Sequence, residues 1–158
     1  MSDPVVQCFR IEFDRFFDLL EKQIETCPDE LWNRKAGGYV VWQQFFHSLA
    51  CTLLFAGTQD VFDSLGYSRQ VVMFSEEAET PMTRQEMRAL AQRARQEAHA
   101  FFDGQSVATL TEKNEGLSKG LGREMTNQAA AIALIRHNCY HLGACDAVFR
   151  DNGLPGVY

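Results

Sequence analysis

The segment from residue 39 to residue 56 constrains the fold more than any other part of this chain. Apolar side chains occupy nearly every face of the helix that it would form, and such a helix is stable only where other elements surround it. We therefore predict a central helix over these residues. A short strand over residues 39–42 is the alternative, because β-branched and aromatic residues cluster there, but no partner strand is visible. The apolar residues of the segment are Val40, Val41, Trp42, Phe45, Phe46, Leu49, Ala50, Leu53, Leu54 and Phe55.

The polar stripe of this predicted helix centres on His47, with Gln43 one turn before it. A second apolar helical stretch carries His137 and His141, four residues apart. Residues at that spacing lie on one face, with Cβ atoms about 5–6 Å apart, so both imidazoles can reach one metal ion. A histidine pair at this spacing often arises by chance, and its weight here comes from His47 on the other buried segment.

A buried histidine can also be an ordinary hydrogen-bonded core residue, and this is the alternative for His47 taken alone. Three buried imidazoles would each need partners, and few Asn, Ser or Asp residues share their faces, which favours a shared divalent ion. Zinc and nickel accept neutral imidazole, and three protein ligands with an open position are typical of a catalytic site. His99 lies near the end of another predicted helix, where a positive charge suits the helix dipole, and we interpret it as a surface or capping residue.

Other side chains lie near enough in sequence to belong to such a site. Cys51 and Cys145 follow His47 and His141 by one turn, and a thiolate is a good zinc ligand, although a small buried core residue is the favoured interpretation. Two carboxylates could orient the histidine ligands, although ordinary surface positions are the favoured interpretation. Two aromatic residues could form the cavity wall, and packing in the core explains them equally well. These four residues are Asp146, Glu124, Tyr39 and Trp42.

Composition narrows the class of protein. The 158 residues are 46% hydrophobic and 23% charged, as in a folded globular domain, and the net charge of −6 argues against a nucleic-acid partner. The apolar run over residues 36–59 is interrupted by Gln43, Gln44 and His47, so we expect no membrane span. The N-terminus lacks a signal-peptide core, and the five cysteines form no C-x-x-C pair. We therefore expect reduced thiols in a cytoplasmic protein.

Three further helices are predicted around the central one. The first is capped by Ser2 or Asp3 and ends before Pro28, and the next is opened by the capping box that Thr83 begins and closed at 103–104. The last runs over residues 123–151. Residues 57–82 and 104–122 are long connections, with a short helix expected near 60–65 and a short hairpin left open in the second. Four principal helices and no credible sheet predict one all-α domain over 1–158, a four-helix bundle with long crossover connections.

The chain resembles the DinB/YfiT-like superfamily of metal-binding four-helix bundles. Helix order and length agree over nearly the whole chain, but family members often carry Gln where this chain has Ala144, which puts any role of that amide in doubt. The matching features are His47 after the entry Leu31-Trp32…Gly37-Gly38, the motif His137-x-x-x-His141-Leu142-Gly143, and the Arg150-x-x-Gly153 ending.

The resemblance implies a divalent ion, zinc or nickel, held by His47, His137 and His141. It also implies a small-molecule substrate, because characterised relatives include S-transferases and isomerases that use a low-molecular-weight thiol, and metal-dependent hydrolases have been proposed. Two alternatives stay open. One is a non-catalytic, metal-stabilised helical bundle that acts through a partner. The other is a metal-free bundle that forms a homodimer through Phe9, Phe13 and Phe16.

Overall fold

The computed structural model describes residues 3–58 and 60–157, and these residues are mostly helical, as predicted. Over the described ranges, four long helices carry most of the ordered structure, and five short helices and a two-stranded sheet join them. The long helices are α1 (Pro4–Thr26), α3 (Val41–Phe55), α6 (Arg84–Asp103) and α9 (Asn127–Asp151). The short elements are α2 (Asp29–Trp32), β1 (Lys35–Ala36), β2 (Tyr39–Val40), α4 (Val61–Ser64), α5 (Arg69–Val72), α7 (Val107–Leu110) and α8 (Glu115–Leu121).

The starts of α1 and α6 follow the capping residues of the sequence. Asp3 accepts a hydrogen bond from the backbone N–H of Val5, while the alternative cap, Ser2, lies outside the described residues. At α6 the predicted capping box forms, because the Thr83 hydroxyl accepts from the backbone of Glu86 and the Glu86 carboxylate accepts from the backbone N–H of Thr83. These bonds satisfy N–H groups that have no partner within a helix.

The prediction that no sheet forms is wrong for one short hairpin. Strands β1 and β2 pair antiparallel, with Ala36 opposite Tyr39, so the helical segment begins at Val41 instead of residue 39. The turn between them is formed by Gly37 and Gly38, which both have positive φ, a conformation that glycine adopts without steric cost. This hairpin brings Tyr39 to the start of the central helix.

Helix α3 is central, as predicted. Every residue from 41 to 53 is buried, because α3 packs against α6 and α9 and is also covered by α4 and α5. Helix α1 packs on α6 and α9 as well, so each of the four long helices contacts two others. Helices α3 and α9, which carry His47 and the His137–His141 pair, are therefore neighbours.

Helix α9 begins at Asn127, four residues later than predicted. Thr126 is its N-cap and accepts from the backbone N–H of Ala129. The residues just before it are held in extended form, since the carbonyl of Met125 accepts from the N–H of Asn114 and Thr126 forms an isolated bridge with Lys113. Pairing with the preceding connection thus replaces the first predicted turn of the helix.

The long connections contain short helices. The helix expected near residues 60–65 is present as α4, and α5 follows it without having been predicted. In the second connection the hairpin left open does not form, because α7 and α8 occupy most of residues 107–121. Phe13 is fully buried against Phe17 and Phe102, so it is not available to a second copy of the chain, and the homodimer stays a prediction. Within the described ranges, no helix combines the length and hydropathy that a membrane crossing requires.

Candidate metal centre

His47 lies in the middle of α3 with a fixed ring orientation. Its side chain is 7% exposed, and its Nδ1 lies 2.6 Å from the carbonyl oxygen of Val72 at the end of α5. Because a carbonyl oxygen can only accept, Nδ1 carries the proton and donates it, which leaves the lone pair of the neutral ring on Nε2. Metal-binding histidines commonly use one ring nitrogen in this way while the other binds the ion.

His137 and His141 approach the same point from α9. The centroids of their rings are 4.5 Å apart, and the His47 ring lies 5.0 Å from His137 and 4.8 Å from His141. One ligand nitrogen from each of the three residues lies within 4.8 Å of the other two. The structure thus brings the three predicted residues together, and the group could hold a metal ion.

The three imidazoles are neutral at neutral pH. Burial lowers the pKa of His47, against the opposing effect of its bond to Val72. Burial, then the charges of His47 and Arg136, lower the pKa of His137 to about 4, and burial, then the neighbouring histidines, lower that of His141 to about 3. Neutral imidazole is the form that binds metals, so each ring has a nitrogen lone pair available for coordination.

One atom of the cluster is left without a partner. Nδ1 of His137 is buried and makes no hydrogen bond to any described residue. An unsatisfied buried polar atom costs about 1–3 kcal/mol, so a native structure with such an atom calls for an explanation. A divalent ion shared by three imidazoles fits this site, because all three donors are neutral nitrogens, the ligand type that zinc and nickel accept.

A cavity of about 320 Å³ lies over the histidines. Phe74 covers part of it, with its ring centroid 4.2 Å from those of both His47 and Tyr39. Its φ of 61° places this residue in the left-handed region, which is uncommon for a bulky side chain. The lining residues are Gly37, Tyr39, Gln44, His47, Phe74, His137, Tyr140, His141 and Ala144.

The connection that carries Phe74 is tied to α3 on both sides. The Gln43 side-chain amide donates to the carbonyl oxygens of Val71, at 2.8 Å, and Glu76, at 2.7 Å. Together with the His47 bond to Val72, these contacts hold the residues on either side of Phe74 against the central helix. The polar stripe that the sequence places on α3 therefore anchors the cover of the cavity.

Neither cysteine belongs to the histidine group. The Sγ of Cys51 lies 3.7 Å from Nε2 of His47, but the group of ligand atoms that lie within 4.8 Å of one another contains only the three histidines, and burial raises the pKa of this thiol to about 12. The thiol of Cys145 points to the side-chain oxygen of Gln44 at 3.9 Å, and burial raises its pKa as well. Both behave as the favoured interpretation expects, as small buried side chains.

The other candidates are divided between the cavity and the rest of the fold. Tyr39 forms part of the cavity wall, whereas Trp42 lies in the core beside Phe46, with ring centroids 6.0 Å apart. Glu124 is exposed, in agreement with its surface interpretation. Asp146 accepts from Nε of Arg150 and from the backbone N–H of Val157, so it holds the C-terminal residues and does not orient a histidine.

Two aromatic wall residues, Tyr140 and Phe74, were not predicted from the sequence. Tyr140 follows His137 by three residues, a spacing that places both on one side of a helix, so this signal was present. Phe74 gave no signal, because the path of its connection could not be read from the sequence. Comparison with protein-family models, with curated proteins and with solved structures finds no match to this chain, and the resemblance named above rests on its sequence motifs alone.

Proposed function

We propose that this chain is a divalent-metal-dependent enzyme of the DinB/YfiT-like type, a four-helix bundle that holds zinc or nickel through His47, His137 and His141. The observation that supports it is the convergence of three neutral imidazoles from two helices at the base of a cavity. The proposed reaction is S-transfer or hydrolysis, with a low-molecular-weight thiol or water as the activated group. When bound, the ion would acidify that group and supply its nucleophilic form near neutral pH.

The residues of the chain perform the remaining tasks. His47 is oriented by Val72, which fixes the direction of its Nε2 lone pair before an ion arrives. Phe74 covers part of the cavity above His47, and Tyr140 forms part of its wall. A site whose donors are oriented in advance loses little free energy to reorganisation when the ion and the substrate bind.

The test is metal analysis of the purified chain after loading with zinc or nickel and removal of unbound ion. We expect about one divalent ion per chain, a higher melting temperature with the ion than with chelator, and turnover of an electrophile or ester in the presence of a thiol or water. A chain that retains no ion under these conditions would refute the proposal.

The second candidate function is a non-catalytic, metal-stabilised bundle that acts through a partner. The partial cover that Phe74 forms over His47 favours it, because a covered ion has structural value without reacting. In this case the ion would raise the melting temperature as before. Panels of electrophiles, low-molecular-weight thiols and esters would then show no turnover.

A further inference from the structure

The wall of the cavity over the histidines contains no Asp, Glu, Lys or Arg side chain among the described residues. Apart from the histidines and Gly37, it is made of three aromatic rings, one alanine and one amide. The amide, Gln44, already donates to the carbonyl of Ala36 at 3.0 Å and accepts from the Cys145 thiol. The cavity therefore offers mainly aromatic and apolar surface to whatever lies above the histidines.

The nearest cations in the sequence are directed elsewhere. Lys35, two residues before Gly37, pairs with the carboxylate of Glu77. Arg136, next to His137, lines a separate apolar groove on the far side of Tyr140, together with Phe16 and Ile132. A carboxylate or phosphate inside the cavity would thus meet no cationic side chain of its wall.

This distribution of charge limits what can bind. A divalent ion on three neutral imidazoles attracts one anionic donor atom, and binding of that atom compensates the positive charge of the ion. A second charge on the same ligand would be taken partly out of water with no partner, which is unfavourable. The aromatic and apolar wall, by contrast, favours an apolar group against it.

We propose, on the basis of the metal site proposed above, that this cavity selects ligands whose only charged atom is the one facing the histidines and whose body is apolar. Tyr39, Phe74 and Tyr140 are the residues that determine this selectivity. Thiols that carry additional carboxylates, such as glutathione, are excluded as tight ligands.

The first test compares two thiols that differ by one carboxylate, benzyl mercaptan and 4-(mercaptomethyl)benzoate, on nickel-loaded protein by isothermal titration calorimetry. An unpaired, partly buried charge costs at least about 1.4 kcal/mol, which is about tenfold in affinity, so we expect the benzoate to bind at least about tenfold more weakly. Equal affinities, tighter binding of the benzoate, or binding of neither thiol would overturn this inference.

The second test adds a cation to the wall. Ala144 faces the cavity from α9, so Ala144→Lys should strengthen binding of the benzoate relative to benzyl mercaptan by about threefold to fivefold, since an opposite charge is worth up to about 1 kcal/mol at a part-exposed site. Ala144→Met adds similar bulk without charge and should leave the discrimination in place. If both variants change the ratio alike, bulk and not charge sets the selectivity, and the inference fails.

Nickel binding is measured before either titration. A wild-type chain that retains neither nickel nor zinc refutes the proposed function, and this inference with it; a chain that retains zinc alone is titrated in its zinc form. A wild-type chain that binds one nickel ion and does not distinguish the two thiols refutes only the selectivity proposed here.

Discussion

The α3–α9 interface and the α1–α6 interface both contain histidine, but the hydrogen bonding of the imidazoles differs between them. In the first, three imidazoles are gathered without a carboxylate, and Nδ1 of His137 has no partner among the described residues. In the second, His99 is bonded through both ring nitrogens. Its Nε2 lies 2.6 Å from Oδ1 of Asp14, and its Nδ1 accepts from Arg10 at 3.3 Å.

The difference separates a candidate metal site from a structural network. The α1–α6 interface extends through Arg95, whose guanidinium contacts the carboxylates of Asp14, Asp18 and Glu21. The ring nitrogens of His99 and the guanidinium of Arg95 thus have partners within the protein. The histidines of the α3–α9 interface are neutral, His47 and His141 are buried, and Nδ1 of His137 has no partner among the described residues, so this group could hold a metal ion.

The largest expected effect is the loss of metal binding when a histidine of the α3–α9 interface is removed. His141→Ala should lower the affinity for nickel by more than about 100-fold, because the loss of a residue that merely orients a ligand already costs about 10–100-fold. His99→Ala is the matched control and should leave the affinity unchanged. Equilibrium dialysis with metal analysis measures both, and equal losses in the two variants would contradict the assignment.

The α3–α9 interface is predicted to depend on neutral hydrogen bonds. The buried Asn138 side chain accepts from the Ser48 hydroxyl at 2.8 Å and donates to the Leu134 carbonyl at 2.8 Å. Asn138→Ala should lower the free energy of unfolding by about 1–3 kcal/mol, since it leaves buried polar groups without partners. Urea unfolding measures this, with the exposed Asn33→Ala as the control within about 0.5 kcal/mol. A change that high salt abolishes would argue against neutral bonding.

A smaller change in nickel affinity is expected when the connection that orients His47 is loosened. Gln43→Leu removes the two bonds that hold Val71 and Glu76, and with them the support of the Val72 carbonyl that orients the ring. We expect about tenfold weaker nickel binding with α3 intact, as found for residues that orient metal ligands. Calorimetric titration and circular dichroism measure the two properties. Gln92→Leu, at an exposed position of α6, should change neither.

The smallest effect is expected in the ionic interface. The Arg95 side chain is 23% exposed, and partly exposed ion pairs contribute about 0–1 kcal/mol each. Arg95→Met should therefore lower the free energy of unfolding by about 1 kcal/mol at low salt and by less at high salt, where such pairs are screened. Nickel affinity should not change. A large, salt-independent loss would mean that packing of the Arg95 guanidinium over the Phe17 ring, and not its ion pairs, is the main contribution.

The sequence predicts the long helices and the histidine cluster because both depend on local spacing. The capping box at Thr83 and the apolar faces of α3 define helices through residues that are close in sequence. His137 and His141 lie on one face of α9 because they are four residues apart. The meeting of His47 with this pair needed only that two strongly apolar helices be neighbours. Burial of both helices makes that arrangement favourable.

What the sequence does not predict depends on contacts between distant segments. The β1–β2 hairpin has only two residues per strand, too few for an alternating pattern to appear. The late start of α9 results from pairing of residues 113 and 126, which no local propensity encodes. The position of Phe74 over His47 likewise depends on bonds from Gln43 to a connection without periodicity.

The left-handed backbone at Phe74 has a consequence for how fast the site exchanges its contents. A bulky residue held there carries roughly 1–3 kcal/mol of strain, which is released when the connection swings away from α3. That release offsets part of the free energy lost when the hydrogen bonds of Gln43 and His47 open. We therefore expect the rates of entry and departure to follow the lifetime of this strained closure.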